Sequence, residues 1–375
     1  MAETIRVGFD DQIFVAQDRG GVSRYIVELI HELPAFGVEP VILSRRTHNQ
    51  HLASSGLVPS APPENALAHR IRWASWRAFG ASQGRVRPST DIDLVHHTFT
   101  HPRYLSRWDG PRVVTVHDMM PEIFPEHFPL GNPHFAKRRY CAESDGIIVV
   151  SDNTRQDMLR FYGAELDEKT AVIHLGVDEV FFSAGSVPGS LPERYLLFVG
   201  VRRGYKDFDV AFEAFRRLAA RDAGLAFVVV GGGPFSETET KLIDGSGLAS
   251  RVHRLAPSDV ELVEIYRRAE AFLFPSRYEG FGLPTLEALA AGAPTVLADA
   301  SCMREVGGDV AEYFTPGDPA ALAEAVGRAV ASAGARRPLG QARAREFTWS
   351  ATAAQTAAFY RRTLERSRAS ASRGQ

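Results

Sequence analysis

Short apolar runs alternate with longer amphipathic stretches along both halves of the chain. In the first half we predict strands at Ile5–Phe9, Pro40–Ser44, Leu94–His97, Val113–His117 and Gly146–Ser151. In the second half the runs are LLFVG from Leu196, AFVVV from Ala226, VHRLA from Val252, AFLFPS from Ala271, PTVLAD from Pro294 and AEYF from Ala311. Apolar runs that alternate with helices are typical of buried parallel strands. The pattern predicts an α/β fold with two doubly wound, Rossmann-like sheets.

The clearest helix candidate is Val22–Leu33, which has one apolar face at three-and-four spacing and begins just after Gly20 and Gly21. In the second half the same periodicity predicts helices at Asp207–Ala220, from Asp259, from Pro284 and at Pro319–Ser332. A glycine pair therefore opens the helix predicted at Val22–Leu33.

A length of 375 residues favours two domains. The segment Ser183–Glu193, SAGSVPGSLPE, is rich in serine, glycine and proline and is therefore predicted as a linker. We expect an N-terminal domain over 1–182 and a C-terminal domain over 194–348. The remaining stretch, 349–375, is predicted as a helix near Ser350–Arg366 that returns to the N-terminal domain, followed by a polar tail without regular structure.

The composition narrows the class of protein. Hydrophobic residues make up 45% and charged residues 23% of the chain, as in ordinary globular proteins, and the formal net charge of −2 provides no basic field for nucleic acid. No apolar run approaches the roughly 18 residues of a membrane span, and the N-terminus lacks a signal pattern. Cys141 and Cys302 have no metal-ligand spacing. We expect a cytoplasmic protein.

The segment Asn65–Thr90 has an unusual composition, with five arginines, no acidic residue and several aromatic residues. One interpretation is a helix that packs Trp73 and Trp76 inward and leaves the arginines solvated. The other is a face that docks peripherally on anionic lipid at the inner membrane surface, or that contacts an acceptor molecule. Both interpretations stay open at this point.

The strongest chemical signal is FPSRYEGFGLPTLEALAAGAPTV, which begins at Phe274. A strand runs into a loop with Gly280 and Gly282, and Pro284 stands where a helix begins. Free amides and the positive end of the helix dipole favour a phosphate or diphosphate there without a metal. Glu279 precedes the glycines and Glu287 follows eight positions later, so their carboxylates can accept hydrogen bonds from sugar hydroxyls on either side of the cradle.

The stretch EGFGLPTLEALAAGAPTV resembles the signature of retaining glycosyltransferase family 4, also called glycosyl transferases group 1. VGVRRGYKDFDVAFEAF, VIHLGVD, TVHDMMPEIFPEHFP and VSDNTRQDML resemble further parts of that family, so that the likeness covers nearly the whole chain. The resemblance implies a GT-B fold, in which two Rossmann-like domains face each other across a cleft. It also implies that the C-terminal domain holds a nucleotide-sugar and the N-terminal domain holds the acceptor.

The resemblance also assigns roles in donor binding. By this likeness Glu287 holds the ribose hydroxyls, Arg254 lies near the base, and Glu279 lies beside the donor sugar with Gly280 and Phe281. The diphosphate is met by a basic pair, Arg202 and Lys206, with Arg203 as the alternative to Arg202. The backbone cradle around that diphosphate consists of Gly20, Gly21, Gly282, Leu283, Pro284 and Thr285.

For the reaction centre and the acceptor, the resemblance places His117 near the reacting carbon, so that His117 and Glu279 are the candidate catalytic residues. Asp118, Ser151 and Asn153 are the candidate acceptor contacts, although Ser151 is equally suited to cap the following helix. GGGP at 231–234 follows a strand but lacks the third glycine of a dinucleotide fingerprint, which disfavours a nicotinamide enzyme.

The expected activity is transfer of a hexosyl group, mannose-like, from a GDP- or UDP-linked sugar to a hydroxyl of a sugar, glycolipid or small-molecule acceptor. The anomeric configuration is kept, in polysaccharide or glycoconjugate assembly, and neither a cofactor nor a metal is expected. Two alternatives remain: a natural-product glycosyltransferase, and a catalytically silent partner protein that only binds a sugar nucleotide.

Overall fold

The computed structural model describes residues 4–80, 91–128, 133–189, 191–202 and 204–373. The chain forms two compact units. The first contains Met1–Gly176 together with Trp349–Gln375, and the second contains Val177–Thr348. The segment 183–193 falls in the second unit, where the amide of Gly185 donates to the carboxylate of Glu264 over 3.2 Å.

The first unit is built on a parallel sheet with the strand order β2-β1-β3-β4-β5-β6 within the described residues. Its strands are β1 (Ile5–Phe9), β2 (Val38–Ile42), β3 (Leu94–His97), β4 (Arg112–Val116), β5 (Gly146–Val149) and β6 (Thr170–Val172). The helices are α1 (Gln12–Ala16), α2 (Gly21–Glu32), α3 (Gln50–Ser54), α4 (Ala66–Phe79), α5 (Met120–Ile123), α6 (Lys137–Glu143) and α7 (Asp152–Tyr162). The central strands β3 and β5 are buried along their whole length, as parallel strands covered on both faces must be.

The second unit has its own parallel sheet, and the order of its described strands is β12-β11-β10-β7-β8-β9. These strands are β7 (Tyr195–Val199), β8 (Ala226–Val230), β9 (Val252–Leu255), β10 (Ala271–Phe274), β11 (Thr295–Ala298) and β12 (Glu312–Phe314). The helices are α8 (Phe208–Ala219), α9 (Glu237–Gly245), α10 (Asp259–Arg268), α11 (Leu283–Ala291), α12 (Met303–Gly307) and α13 (Pro319–Ala344). An aromatic cluster of Phe208, Phe212, Phe215 and Phe227 joins α8 to the sheet.

The last helix, α14 (Trp349–Arg373), belongs to the first unit. Tyr360 is fully buried and its hydroxyl lies 2.5 Å from Nδ1 of His96 on β3. Thr352 donates to the carbonyl oxygen of His174 over 2.8 Å, and Arg361 donates to that of Phe36 over 2.7 Å. The C-terminal helix therefore completes the core of the unit that the N-terminus begins.

Several element boundaries differ from the predictions. The strand predicted at Pro40–Ser44 lies at Val38–Ile42, and the strand predicted at Val113–His117 ends at Val116, which leaves His117 in the following loop. The predicted tail was wrong, because α14 continues to Arg373. Extending an existing helix costs far less than starting one, so a polar continuation stays helical.

The predicted end of helix 319–332 was also wrong, because α13 runs on to Ala344 past Pro338. Contacts to the neighbouring helix hold this extension in place. Arg337 donates to the carbonyl of Gly292 over 2.8 Å, and Gln341 donates to that of Ala290 over 3.2 Å. Tertiary contacts thus offset the hydrogen bond that proline removes.

The basic aromatic segment forms α4 as far as Phe79, and residues 81–90, with Arg85 and Arg87, lie outside the described residues. Trp76 is buried, as the packing interpretation predicts. Trp73 is 40% exposed and its ring lies 4.7 Å from the guanidinium carbon of Arg77. None of the helices in the described part of the chain combines the length and hydropathy needed to cross a membrane.

Candidate functional site

The strand order of the second sheet reverses between β7 and β10, which pair directly although they are far apart in sequence. Chain connections leave this point in opposite directions, so a crevice forms at the carboxyl ends of the two strands, and ligands of open α/β sheets bind in such a crevice. The loop after β7 carries Lys206 and the loop after β10 carries Glu279. The topology therefore brings together two residues that the sequence placed in one donor site.

Lys206 and Glu279 form a direct ion pair. Both side chains are largely buried, with exposures of 14% and 9%, so little water screens the pair. The ammonium of Lys206 also lies 5.3 Å from the centre of the Phe274 ring. The backbone of Glu279 is held as well, because its amide donates to the hydroxyl of Ser301 over 3.1 Å and its carbonyl accepts from the thiol of Cys302 over 3.2 Å.

The start of α11 forms the predicted glycine-rich cradle. Gly282 precedes the helix with φ 85°, a left-handed conformation that favours glycine, and a Cβ there would lie 2.7 Å from Cε of Met303. Pro284 has no amide hydrogen, and the amide of Thr285 donates back to the carbonyl of Gly282 over 2.8 Å. Within the described residues the amides of Gly282 and Leu283 have no acceptor, so these two form the free part of the cradle.

Thr285 was predicted to contribute its backbone to the cradle, and its side chain packs inside the unit. Its side chain is fully buried and its hydroxyl donates to the sulfur of Met303 over 3.8 Å, so it packs α11 against α12. Phe281 is likewise buried and its ring packs edge-on against Phe347 at 5.9 Å. Any contact of these two residues with the donor is therefore left to their backbone atoms.

Glu287 lies one turn into α11 and is only 8% exposed. The hydroxyl of Tyr266 on α10 donates to its Oε2 over 3.1 Å. A carboxylate held by a tyrosine is fixed in orientation, and its oxygens are acceptors for hydroxyl groups. The geometry agrees with a ribose-binding carboxylate.

Arg202 does not contact this cradle. Its side chain is 2% exposed, and its donors go to Glu239 over 2.9 Å and to carbonyl oxygens of the turn 231–234. In this arrangement the donors of Arg202 are satisfied inside the protein, and the diphosphate contact that the resemblance implied stays a prediction. Arg203 lies outside the described residues. Arg254 is exposed on the edge strand β9.

In the first unit the predicted glycine pair opens α2. Gly20 is the N-terminal capping residue and α2 begins at Gly21. A Cβ on Gly20 would lie 2.4 Å from the side-chain oxygen of Gln17, which also accepts from the amide of Ser23 over 3.3 Å. The Gln17 side chain therefore crosses the helix start beside Gly20.

His117 lies just after β4, and its ring packs edge-on against Tyr25 at 5.0 Å. Burial lowers the pKa of His117 to about 4, so the imidazole is neutral near pH 7. Its Nε2 atom is buried and has no hydrogen-bond partner among the residues that the structure describes. Burial raises the pKa of the neighbouring Asp118, but the charge of Lys137, the nearby His134 and the backbone amide of Met120 together outweigh that effect, and the net shift is downward. The backbone carbonyl of Asp118 accepts from Lys137 over 2.7 Å.

The predicted acceptor contacts at α7 serve the helix itself. Ser151 caps α7 by accepting from the amide of Thr154 over 3.0 Å, and Asn153 donates to the carboxylate of Asp157 over 3.0 Å. The capping interpretation of Ser151 is therefore realised in the structure.

Sequence reasoning missed a polar pair at the reversal point of the first sheet, between β1 and β3. Nδ1 of His97 lies 2.7 Å from the carboxylate of Asp10, while its Nε2 atom is buried and has no partner among the described residues. Burial raises the pKa of Asp10, but hydrogen bonds from His97, Thr98 and Gln12 outweigh it and the net shift is downward. The available signal was Asp10, an acid directly after a buried strand.

Comparisons with known proteins agree with this geometry. The model of Glycosyl transferases group 1 matches residues 187–346, and that of Glycosyltransferase Family 4 matches residues 19–181. A D-inositol 3-phosphate glycosyltransferase of Salinispora tropica is 30% identical over 89% of this chain and 79% of its own. An MMP alpha-(1->4)-mannosyltransferase of Mycolicibacterium hassiacum is 33% identical over 74% of this chain and 72% of its own. The structure of Anabaena HepE in complex with UDP-glucose has a TM-score of 0.69 at 19% identity, covering 94% of this chain and 98% of that one.

The two Rossmann-like units have the GT-B fold, which confirms the predicted fold class. Within that class the chain belongs to the group 1 glycosyltransferases, with a family 4 N-terminal part. The family predicted from the stretch around Glu279 and Glu287 is thereby confirmed, as is a nucleotide-sugar-dependent transferase as the general activity.

Proposed function

We propose that this protein is a retaining glycosyltransferase that moves a mannose-like hexosyl group from a nucleoside diphosphate sugar to an acceptor hydroxyl in polysaccharide or glycoconjugate assembly. The observation that carries the proposal is the Lys206–Glu279 ion pair at the reversal point of the second sheet, beside the free amides of α11. The mannosyltransferase relative and the UDP-glucose bound to HepE support the sugar class and the donor type.

The departing nucleoside diphosphate gathers negative charge as the glycosidic bond breaks. Lys206, which exchanges Glu279 for the diphosphate when the donor binds, and the amides of Gly282 and Leu283 stabilise that charge. A cation and two helix-start amides supply the charge that a divalent metal supplies elsewhere, which is why we propose a metal-independent reaction. Glu287 holds the ribose hydroxyls while Tyr266 keeps its carboxylate in place.

In this proposal the diphosphate replaces Glu279 as the partner of Lys206, and Glu279 then accepts hydrogen bonds from the donor sugar. His117 is neutral, and its Nε2 atom, which has no partner among the described residues, forms a hydrogen bond with a sugar hydroxyl and adds no charge. Retention then follows from attack of the acceptor on the face that the diphosphate leaves, with the leaving phosphate taking the acceptor proton. The O–H proton moves to the phosphate as the new glycosidic bond replaces the old one.

The test supplies GDP-mannose, UDP-glucose and a panel of acceptor glycosides in the presence of EDTA. Proton NMR of the product gives the anomeric configuration, and an α-linked product from an α-linked donor is expected. Lys206→Met loses turnover, whereas Lys241→Met, which removes an exposed lysine of the same unit, retains it. An inverted product contradicts retention, and a donor that binds but is neither transferred nor hydrolysed favours the silent partner protein.

We also propose that α4 rests on an anionic membrane surface, which brings a lipid-linked acceptor within reach. Leu67, Ile71 and Trp73 are 66%, 59% and 40% exposed, and Arg70 and Arg77 belong to the same helix, which has no acidic residue. Exposed apolar side chains beside arginines fit a bilayer of anionic lipid.

Co-sedimentation with vesicles tests the membrane proposal. Phosphatidylglycerol vesicles are expected to bind the protein and phosphatidylcholine vesicles are not. A Leu67→Glu/Ile71→Glu variant loses this binding, while Val330→Glu, at another exposed apolar position, keeps it. Equal binding of both variants contradicts the role of α4.

A further inference from the structure

Near the proposed donor site, the side chain of Arg202 is even more deeply buried than that of Lys206. Its side chain is 2% exposed and its Nε donates to Glu239 over 2.9 Å. Its two Nη atoms donate to carbonyl oxygens of one short turn, over 2.5 Å to Gly231, 3.0 Å to Gly233 and 2.8 Å to Pro234. One guanidinium therefore gathers the carbonyl groups of the whole turn on one side.

The turn that Arg202 holds consists of three left-handed glycines, with φ of 90°, 70° and 70° at Gly231, Gly232 and Gly233. A Cβ on Gly232 would lie 2.6 Å from Nη1 of Arg202, and a Cβ on Gly231 would lie 3.0 Å from the carbonyl oxygen of Gly200. The turn thus needs glycine both for its backbone conformation and for the close approach of Arg202.

In a left-handed turn the amides point away from the carbonyls. The carbonyls of this turn face Arg202, so its amides face outward, and Gly231 to Gly233 are exposed. None of these three amides has a backbone acceptor among the described residues. The turn follows β8, which pairs with β7, and the loop after β7 carries Lys206. The outward amides therefore belong to the same carboxyl edge as the donor site.

We infer that Arg202 is a positioning residue, which holds the 231–234 turn so that its amides contact the nucleoside diphosphate of the donor, and that Arg202 itself does not touch the phosphates. The inference rests on the proposed function. Glu239 is part of the same device, because its other oxygen accepts from the amide of Ser236 over 2.6 Å and so ties the guanidinium to the start of α9.

Substitution of Glu239 distinguishes this positioning role from direct binding of the phosphates by Arg202. If Arg202 bound the diphosphate itself, removing the negative charge of Glu239 would leave the affinity unchanged or raise it. If Arg202 acts through the turn, Glu239→Gln loosens the guanidinium and lowers the affinity. We expect Arg202→Lys and Glu239→Gln each to weaken the binding of UDP or GDP by about tenfold, and the double variant to lose little more.

The experiment combines calorimetry of UDP and GDP with NMR of ligand-free protein labelled with 15N-glycine. Arg202→Lys and Glu239→Gln are expected to shift the amide resonances of Gly231 to Gly233, whereas Lys206→Met leaves them in place. Gly232→Ala reproduces the affinity loss, while Gly245→Ala, where a Cβ meets nothing within 4 Å, does not. Thermal unfolding checks that each variant is folded.

Unshifted glycine resonances in Arg202→Lys overturn the inference, and so does wild-type affinity in Glu239→Gln. Wild-type protein that binds neither UDP nor GDP contradicts the proposed function itself. Wild-type protein that binds one of them while Glu239→Gln binds it equally well contradicts only the role of Arg202.

Discussion

The ammonium of Lys206 is paired with the carboxylate of Glu279, so the cation proposed for the diphosphate and the acid proposed for the sugar neutralise each other before any donor arrives. Neither charge is then left alone in a largely buried site, which would be costly. When a donor binds, its diphosphate becomes the partner of Lys206 and its sugar hydroxyls become the partners of Glu279.

Lys206→Met is expected to lower kcat/KM for the donor by about 100- to 1000-fold, because it removes the fixed positive charge that meets the leaving group. Steady-state kinetics of sugar transfer measures the loss. Lys241→Met serves as the control, since its side chain is 75% exposed on α9. Turnover of Lys206→Met near that of the control would contradict the assignment.

Glu287→Gln is expected to weaken nucleoside diphosphate binding by about tenfold or more, because hydrogen bonds to a charged acceptor are worth about 1.5 to 3 kcal/mol. The readout is the rise in Tm on adding UDP or GDP, which follows the affinity for the folded state. Tyr266→Phe keeps the carboxylate and removes only its 3.1 Å donor, so its loss is smaller. An unchanged ligand-induced shift in Glu287→Gln would rule out the ribose contact.

Gly282→Ala is expected to destabilise the second unit by about 1 to 3 kcal/mol, because alanine is strained at φ 85° and its Cβ would lie 2.7 Å from Met303. Urea unfolding measures the change. Gly327→Ala is the matched control inside α13, where a Cβ meets nothing within 4 Å, and it is expected to stabilise the protein by up to about 1 kcal/mol. The prediction fails if the two variants change stability in the same direction.

Acid is expected to destabilise the first unit through His96. Burial lowers the pKa of His96 from its usual 6.5 to about 3, so the unfolded chain takes up a proton that the folded chain refuses. The stabilising contribution is complete above pH 6.5 and is lost as the pH falls toward 3. Between pH 7 and 5 the loss from this residue is about 2 kcal/mol.

Urea unfolding at both pH values tests this prediction. His96→Gln has no group that titrates in this range, so its free energy of unfolding falls less steeply between pH 7 and 5 than that of the wild type. Carboxylates whose pKa is lowered, such as those of Asp10 and Asp118, contribute only at more acidic pH. Equal slopes in wild type and variant would show that His96 does not control the acid response.

Much of the donor site was predictable because its residues lie in one short stretch. Glu279, Gly282 and Glu287 surround the start of a single helix, so their spacing alone predicts a phosphate cradle between two acids. Lys206 was predictable because it follows the end of a strand in a parallel sheet. These inferences need only local conformation and sheet direction.

The parts that sequence reasoning missed depend on contacts between distant residues. Whether a guanidinium faces solvent or a neighbouring turn depends on the shape of that turn, and the turn bound by Arg202 lies about 30 residues further along the chain. Likewise, His97 was placed correctly in a strand, but its contact with Asp10 requires β3 to pair with β1. The extension of α13 past Pro338 depends on carbonyls of another helix in the same way.

The position of α14 also affects the order in which the two units mature during synthesis. The second unit is one continuous segment, whereas the first needs the last helix of the chain, because Tyr360 reaches back to His96. Domains fold as they leave the ribosome, starting from the N-terminus. The first unit therefore starts to form before the second but is completed after it. Until α14 has left the ribosome, a nascent chain carries a complete second unit and an incomplete first unit.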